Sequence, residues 1–584
     1  MTKTLENLAH VLGAAILNRG EMQTEVKQIA FDSRYVTAGG VFFAIKGLEA
    51  DGHDYLDKAC AQGAIALVVQ DAAKIKGLQS SVTCLQVQDT RQALAAAANW
   101  FYDAPSESLQ VIGITASNGK TSTSLMYKTI ALTAGKAIGV VGTVSYETAK
   151  RSEMSHLTTP DAVKLEQLLR EMADSNYHYA VMECSSIGLD QRRNYGVKYR
   201  AAAFNNISRE HLDYHGSFAN YLQAKMCLIT DCADENTAVV LNFDDPVIYE
   251  QRAAVKGRLL GFADLSNWPE QRLSQVQREA DRPQVLAADV DLSSGLPHFS
   301  ILLDCATAQQ LQKAQAAVTS ATAWQTPDRR QVGPYSYYVY PLSLQVPGYH
   351  SVMNALSAFS LAIVSGFSPV EACNGLARYQ GIERRFQQIL APVKVQGTAW
   401  QKVVDYQIYD DHFANPGNII FSLTSLSKMD YRHLHILYAI RGKRGVTVNK
   451  ENILQLAPFL PKLRLASFSA TLSEDVVGHY DQVQEDELSA FQESMRAINL
   501  PYKLYPTLKG AIKAVLPELQ QDDVLLLAGC QGMDAGARLC LTELAAQHPD
   551  LAAEVIMQAV KDRVCGQANE ATDKDKLFAG EASK

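Results

Sequence analysis

The sequence predicts an α/β fold of three domains built around a central parallel sheet, and three observations carry that prediction. From Leu109 to about Gln345, short β-branched runs alternate with amphipathic helical stretches, the pattern of a sheet covered on both faces. Within that block, Val111-Ile112-Gly113-Ile114-Thr115 leads into a glycine-bearing turn that ends in Gly119-Lys120-Thr121. Leu125, Met126, Ile130 and Leu132 then continue as the apolar positions of a helix. Lastly, Asp103-Ala104-Pro105-Ser106 and Val346-Pro347-Gly348 punctuate the chain where domains would meet. The predicted boundaries are 1–106, 107–345 and 346–564, followed by a polar tail at 565–584 that is expected to be disordered. A length of 584 residues has room for about three or four domains.

The elements follow in order. Residues 1–106 read as a small α/β unit closed by an Ala-rich helix from Gln92 to Tyr102. In the central block the predicted strands are Ala137–Val144, Tyr179–Glu183, Ala201–Asn205 and Ala238–Leu241. Residues 264–340 are richer in Gln, Ser and Asp and are expected to form a peripheral extension. After Gly348 a helix carries Val352, Leu356, Phe359 and Leu361. Strand–helix alternation then resumes with His435–Ile440, Leu463–Phe468 and Asp523–Leu527, with Gly529 behind, as in a Rossmann-like domain. No repeat of solenoid period is evident.

Composition narrows the function classes. Lys+Arg number 54 and Asp+Glu 62, a net charge of −8, and no basic run is present, so a nucleic-acid partner is not expected. The 10 cysteines form neither a Cys-x-x-Cys pair nor a Cys/His cluster at zinc spacing, and read as reduced thiols. The N-terminus lacks a signal-peptide core and no apolar run is long enough to span a membrane, so no membrane insertion and a cytoplasmic location are expected.

Three segments carry chemistry. In the turn Ala116-Ser117-Asn118-Gly119-Lys120-Thr121-Ser122, backbone N–H groups at a helix start would meet phosphate oxygens. Lys120 adds a point charge there and the Thr121 hydroxyl can ligate Mg²⁺, so ATP is the expected nucleotide. Val181-Met182-Glu183-Cys184-Ser185-Ser186 runs from a strand into small hydroxyl residues. Phe204-Asn205-Asn206-Ile207-Ser208-Arg209-Glu210-His211 crowds polar groups at another strand end, followed by Tyr221, Ala224 and Lys225. Open α/β sheets bind ligands at those ends, which places Glu183 and His211 in the crevice of the phosphate loop as cation ligands.

Taken together, these segments resemble the Mur ligase family, and within it the tripeptide-forming MurE-type branch. The family loop Gly-Thr-Asn-Gly-Lys-Thr is matched by Ala116-Ser117-Asn118-Gly119-Lys120-Thr121, with Ala116 where glycine is usual. The branch's Asp-Ser-Arg motif is matched by Asp32-Ser33-Arg34, and its muramoyl-contact segment by Thr158-Thr159-Pro160-Asp161. The resemblance implies an N-terminal uridine-binding domain, a central P-loop ATPase domain and a Rossmann-like C-terminal domain. It assigns Ser33, Arg34, Thr158, Thr159, Pro160, Ser185 and Arg193 to the nucleotide-sugar substrate, and Asn354, Arg385 and Asp411 to the nucleotide. Thr121, Glu183, His211 and a carbamylated Lys225 would hold Mg²⁺, with Lys120, Lys225, His211 and Glu183 as the catalytic set.

The departures lie toward the C-terminus. Asp411-His412-Phe413-Ala414-Asn415-Pro416 has Ala414 where the family has histidine, and Ala439-Ile440-Arg441-Gly442-Lys443-Arg444 replaces a glycine-rich segment. The Asp-Asn-Pro-Arg motif is absent, with Ser469-Ala470-Thr471-Leu472 near its place. A guanidinium fork is the natural partner of an amino-acid carboxylate. The expectation is therefore an ATP-dependent ligase of peptidoglycan biosynthesis that works through an acyl phosphate. Its acceptor would be a UDP-N-acetylmuramoyl-peptide-like acid and its amine something other than diaminopimelate. Ligation of a different acid, or a non-catalytic ATP-binding homologue, are the alternatives.

Overall fold

The computed structural model describes residues 2–47, 50–75, 82–276, 278–316, 324, 327–391, 404–413, 416–547, 557 and 560. The tail expected at 565–584 and the pair Ala414-Asn415 lie outside the described residues. The chain forms two compact units: Met1–Ala288, Ser300–Tyr340 and Asn354–Leu376 make the first, and Asp289–Phe299, Pro341–Met353 and Ala377–Lys584 the second. Among the described residues no helix is long and apolar enough to cross a membrane.

Two sheets organise the first unit. A five-stranded sheet runs Ala15–Asn18, Thr83–Gln86, Ala64–Val69, Gly40–Phe43 and Gln28–Ala30; its first pair is antiparallel and the rest are parallel. Its strand Gly40–Phe43 is buried throughout, as a sheet covered on both faces requires. The helix Thr90–Phe101, capped by the Asp89 carboxylate, closes this sheet. The same helix meets Ala162–Asp174, where the Asn99 amide donates to Glu166 Oε1 at 3.2 Å.

The larger sheet has 12 strands, and Gln110–Thr115 lies inside it. Tyr179–Glu183 and Tyr199–Phe204 flank that strand in parallel. Beyond them stand Ile138–Val141 on one side and Ala238–Asn242 then Arg258–Asp264 on the other, all parallel. Val111, Ile112, Ile114, Val181 and Ala202 are fully buried between the covering helices. On the helix Lys120–Thr133, Met126 and Ile130 are buried, whereas Leu132 lies off that face and is exposed. The strands Val285–Asp291, His298–Asp304, Arg329–Val332 and Tyr335–Ser343 continue the same sheet, so residues 264–340 form its outer strands. Trp268 and Tyr337 are fully buried there, with Trp268 6.1 Å from the ring of Phe243.

In the second unit a six-stranded sheet runs Gln387–Leu390, Gln407–Asp411, Val524–Gly529, Leu434–Ala439, Leu465–Thr471 and Lys503–Tyr505. Only its first pair is antiparallel. Gly529 takes φ +148° at the end of its strand, where a Cβ would lie 2.8 Å from that of Ala439.

Candidate functional site

The phosphate loop leaves the strand Gln110–Thr115 and enters the helix Lys120–Thr133 at Gly119. Gly119 has φ +84°, and a Cβ there would lie 2.4 Å from Asn354 Oδ1, so no other residue fits without rearrangement. Asn354, predicted as a nucleotide contact, is buried behind the loop, and its Oδ1 accepts from the Thr123 hydroxyl at 3.4 Å. The loop is held from the neighbouring strand end as well. Asn118 N–H donates to Asn206 Oδ1 and the Asn206 amide returns a bond to Asn118 O, both at 2.8 Å. Ser117 Oγ and the Tyr221 hydroxyl are 2.8 Å apart. Ala116 is fully buried, with its methyl accommodated, and Ser122 is half-buried in the first helical turn.

Two lysines converge on one carbonyl. Lys120 Nζ donates to Ala116 O at 2.8 Å and to Ser117 O at 3.1 Å, and Lys225 Nζ donates to the same Ala116 O at 2.7 Å. Lys225 is 1% exposed, on the helix Phe218–Thr230, with its Nζ 4.8 Å from the centre of the Tyr221 ring. Burial, and then the positive charge of Lys120, hold its pKa well below the ordinary lysine value.

On the other side of the loop, Glu183 ends the strand Tyr179–Glu183 and is 1% exposed. Its Oε2 accepts from the hydroxyls of Thr121 and Thr143, each at 2.9 Å, and its Oε1 from Thr143 N–H at 2.9 Å. Thr158 Oγ1 lies 3.1 Å from Thr143 Oγ1. Thr159 Oγ1 donates to Glu183 O at 2.8 Å and lies 3.1 Å from Ser185 Oγ, and Ser185 caps the helix Ser186–Asp190. Arg193 Nη1 donates to Thr159 O at 2.7 Å, and burial lowers its pKa; Pro160 is buried beside this segment. The structure thus gathers Thr121, Glu183, Thr158, Thr159, Ser185 and Arg193 into one connected group. Thr143 belongs to it and is not among the predicted residues. Its signal was available: it follows the strand Ile138–Val141 at the ligand-binding end of the sheet.

Other predicted residues stand apart from that group. His211 is exposed, with φ +53°, and its ring centre is 6.4 Å from that of Tyr221. The buried histidine of the segment is His215, whose Nε2 is 3.1 Å from Ser186 Oγ. Among the described residues no three His, Cys, Asp or Glu side chains cluster as a metal site. Thr121 and Glu183 do offer the hard oxygen donors that Mg²⁺ prefers, an incomplete set that nucleotide phosphates and water would fill. Ser33 is buried within the turn Ser33–Tyr35, and the exposed Arg34 pairs with Asp32 at 2.7 Å. That guanidinium holds the Asp32 carboxyl below its ordinary pKa.

In the second unit, Asp411 is buried; its carboxylate accepts from Phe386 N–H at 2.9 Å and from the Ser422 hydroxyl. Burial raises its pKa to about 6 against these bonds. Arg385 is exposed, whereas Arg384, with φ +57°, is buried and donates to the carbonyls of Gly529 and Cys530 and to Asp534. On the loop after Ala439, the Glu487 carboxylate accepts from the backbone N–H groups of Lys443, Arg444, Gly445 and Gln484 at 2.7–3.0 Å.

Comparison with known proteins points to the family that the sequence motifs resemble. Residues 25–102 match the catalytic domain of the Mur ligase family, and residues 114–292 match the Mur ligase middle domain. The UDP-N-acetylmuramoyl-L-alanyl-D-glutamate–2,6-diaminopimelate ligase of Geobacillus thermodenitrificans is 27% identical over 510 residues, covering 86% of this chain and 90% of that one. A solved structure of a ligase of that name superposes with a TM-score of 0.63 at 18% identity, over 94% of this chain and 100% of the other. The MurF ligase of Thermotoga maritima in complex with ADP superposes with a TM-score of 0.52 at 16% identity, over 89% and 99%. These names overturn the expectation that the amine is something other than diaminopimelate, because relative after relative is named as a diaminopimelate ligase. That expectation rested on one missing arginine motif. The lack of a guanidinium at one position does not empty a surface of cations, and the loop braced by Glu487 carries Arg441, Lys443 and Arg444. A chain whose phosphate loop, buried carboxylate and buried lysine meet at one sheet end thus carries Mur ligase domains at residues 25–102 and 114–292, and is similar over most of its length to ATP-dependent ligases of that family.

Proposed function

We propose that this ligase forms an amide bond between the free carboxylate of a UDP-N-acetylmuramoyl-dipeptide and an amino group of diaminopimelate. The names of the relatives aligned over most of the chain support both substrates. The observation that carries the reading is the unbroken series of contacts Thr121–Glu183–Thr143–Thr158, which joins the phosphate loop to the segment that would hold the acid. In the reaction the acid's oxygen attacks the γ-phosphorus of ATP, and ADP departs. The amine nitrogen then attacks the acyl phosphate carbon, phosphate departs, and the amine's proton passes to solvent.

Each residue has a part in this scheme. Lys120 and the amides of 116–122 would grip the β- and γ-phosphates, while Asn354, Arg385 and Asp411 would contact the rest of the nucleotide. Ser33 and Arg34 would meet the uridine end of the acceptor, and Thr158, Thr159, Pro160, Ser185 and Arg193 its muramoyl-peptide end. Thr121 and Glu183 would hold one Mg²⁺, with His211 and Lys225 serving a second. When bound, Mg²⁺ neutralises charge on the transferring phosphoryl group. The depressed pKa of the buried Lys225 favours the neutral amine, the form that would attack CO₂, release a proton and become a carbamate. An ammonium there would repel a cation, whereas a carbamate supplies anionic oxygens. On this reading residues 1–106, 107–345 and 346–564 would be the three working domains.

The test is phosphate release by the full chain. Release is expected only when the UDP-muramoyl dipeptide and diaminopimelate are both present. Lys225→Ala is expected to abolish it, with partial recovery in added short carboxylates. Release that ignores the acid, or a fully active Lys225→Ala enzyme, would overturn the proposal.

A further inference from the structure

Two of the three hydrogen bonds on the buried Glu183 carboxylate come from a single residue, Thr143: its N–H binds Oε1 and its hydroxyl binds Oε2, each at 2.9 Å. The preceding Gly142 lets this turn close on the carboxylate, since a Cβ there would lie 2.4 Å from Glu183 Oε1. The third bond, from the Thr121 hydroxyl, is of a different kind. A cation held at Thr121 would draw on a lone pair of that hydroxyl, so this contact would be shared with the cation. The two bonds from Thr143 remain.

The direction of the remaining protons is also determined. Thr143 has one hydroxyl proton, and an acceptor-only carboxylate claims it. The contact with Thr158 at 3.1 Å must then have Thr158 as donor. A series Thr158→Thr143→Glu183 therefore runs from the acid-holding segment to the carboxylate.

We infer that Thr143 is a positioning residue: it keeps the Glu183 carboxylate aimed at the nucleotide-borne cation and ties that aim to Thr158. The inference rests on the reading of Glu183 as a cation ligand. Because Thr143 is exposed, its substitution leaves no cavity in the core.

The test measures Mn²⁺ binding to the full-length protein in saturating ADP, read from the electron paramagnetic resonance signal of free Mn²⁺. Thr143→Val removes the hydroxyl and keeps the N–H, and is expected to weaken Mn²⁺ binding about tenfold, the range for one hydrogen bond to a charged group. Thr143→Ala must repeat that loss, which guards against an effect of the added branch. Thr143→Ser is expected to stay within about twofold of wild type, because it restores the donor. ADP binding without metal should be unchanged in all three, which a general loosening of the site would not allow. Glu183→Gln runs beside them. If it loses Mn²⁺ while Thr143→Val and Thr143→Ala bind as wild type does, the positioning role is overturned and the cation reading stands. Undiminished Mn²⁺ binding by Glu183→Gln would overturn both.

Discussion

Lys225 shows how a function can be written against stability. Folding takes its side chain from water to 1% exposure, and burial and Lys120 depress its pKa. Between its folded and unfolded pKa values the unfolded chain holds that proton more tightly than the folded chain, so folding there releases it. The sign follows: this residue's cost falls as pH rises toward the unfolded value near 10.5. Lys225→Met, of similar length and without the amine, is therefore expected to raise the melting temperature at pH 7 in CO₂-free buffer while abolishing phosphate release. A lower melting temperature would show that the bond to Ala116 outweighs the cost of deprotonation. Glu166 carries the same kind of cost with the opposite sign. It is 1% exposed, burial raises its pKa to about 7 against the bond from Asn99, and its Oε2 has no hydrogen-bond partner among the described residues. The folded state holds this proton longer than the unfolded one, so stability drains as pH rises from about 4.5 to 7. Glu166→Gln keeps the acceptor for Asn99 and is expected to be more stable than wild type at pH 8, by up to about 3 kcal/mol, with the gain vanishing near pH 4. Denaturant titrations at the two pH values decide it. Single residues were also where the sequence was least legible. The adjacent Arg384 and Arg385 read alike, yet a positive φ turns Arg384 inward to Gly529 and Cys530 and leaves Arg385 exposed. Thr143 has no motif of its own: its place after the strand Ile138–Val141 marks it only as one of several strand-end residues, and the closure of a turn on Glu183 singles it out.

Elements were far more legible, because their signals add over several residues. The strand Tyr179–Glu183 falls where alternation of apolar runs and helices put it, and Ala238–Asn242 exceeds its predicted span by one residue. Residues 264–340 misled in part, because outer strands of a sheet carry polar residues on an exposed face and so resemble an appendage. The strand Val285–Asp291, buried for its first four residues and then largely exposed, shows how such a mixture arises. Caps were legible only as possibilities. The helix Glu485–Ala497 begins with a capping box between Gln484 and Glu487, and the same Glu487 carboxylate also gathers three N–H groups of the loop 443–445. Burial pushes the Glu487 pKa up, but these four backbone donors outweigh it and leave the value depressed. Glu487→Ala leaves all four without their acceptor. It is expected to cost about 2 kcal/mol or more and to speed amide hydrogen exchange at 443–445 before that of the sheet. Unchanged exchange at those three residues would mean that the loop is held by something else.

At the scale of the molecule, what could be read was the placement of chemistry at the C-terminal ends of parallel strands, a consequence of chain topology more than of any single motif. The loop at 116–122, Glu183, Thr143 and Lys225 come from four separate stretches, and the strand order Ile138–Val141, Tyr179–Glu183, Gln110–Thr115, Tyr199–Phe204 brings their ends side by side. All of these residues, and Asn354, lie in the first unit. A nucleotide that binds them therefore stabilises that unit by mass action, about 2.7 kcal/mol when ADP is 100 times its dissociation constant. Heating the full chain with ADP and Mg²⁺ is accordingly expected to raise the unfolding temperature of the first unit by several degrees. Lys120→Met should lose most of that rise, because the nucleotide loses its point charge, while melting as wild type does without ligand. Glu183→Gln should keep the response to ADP alone and lose the extra increment that Mg²⁺ supplies. A Lys120→Met protein that still gains the full increment would remove the phosphate loop from the nucleotide site, whatever its pattern of residues.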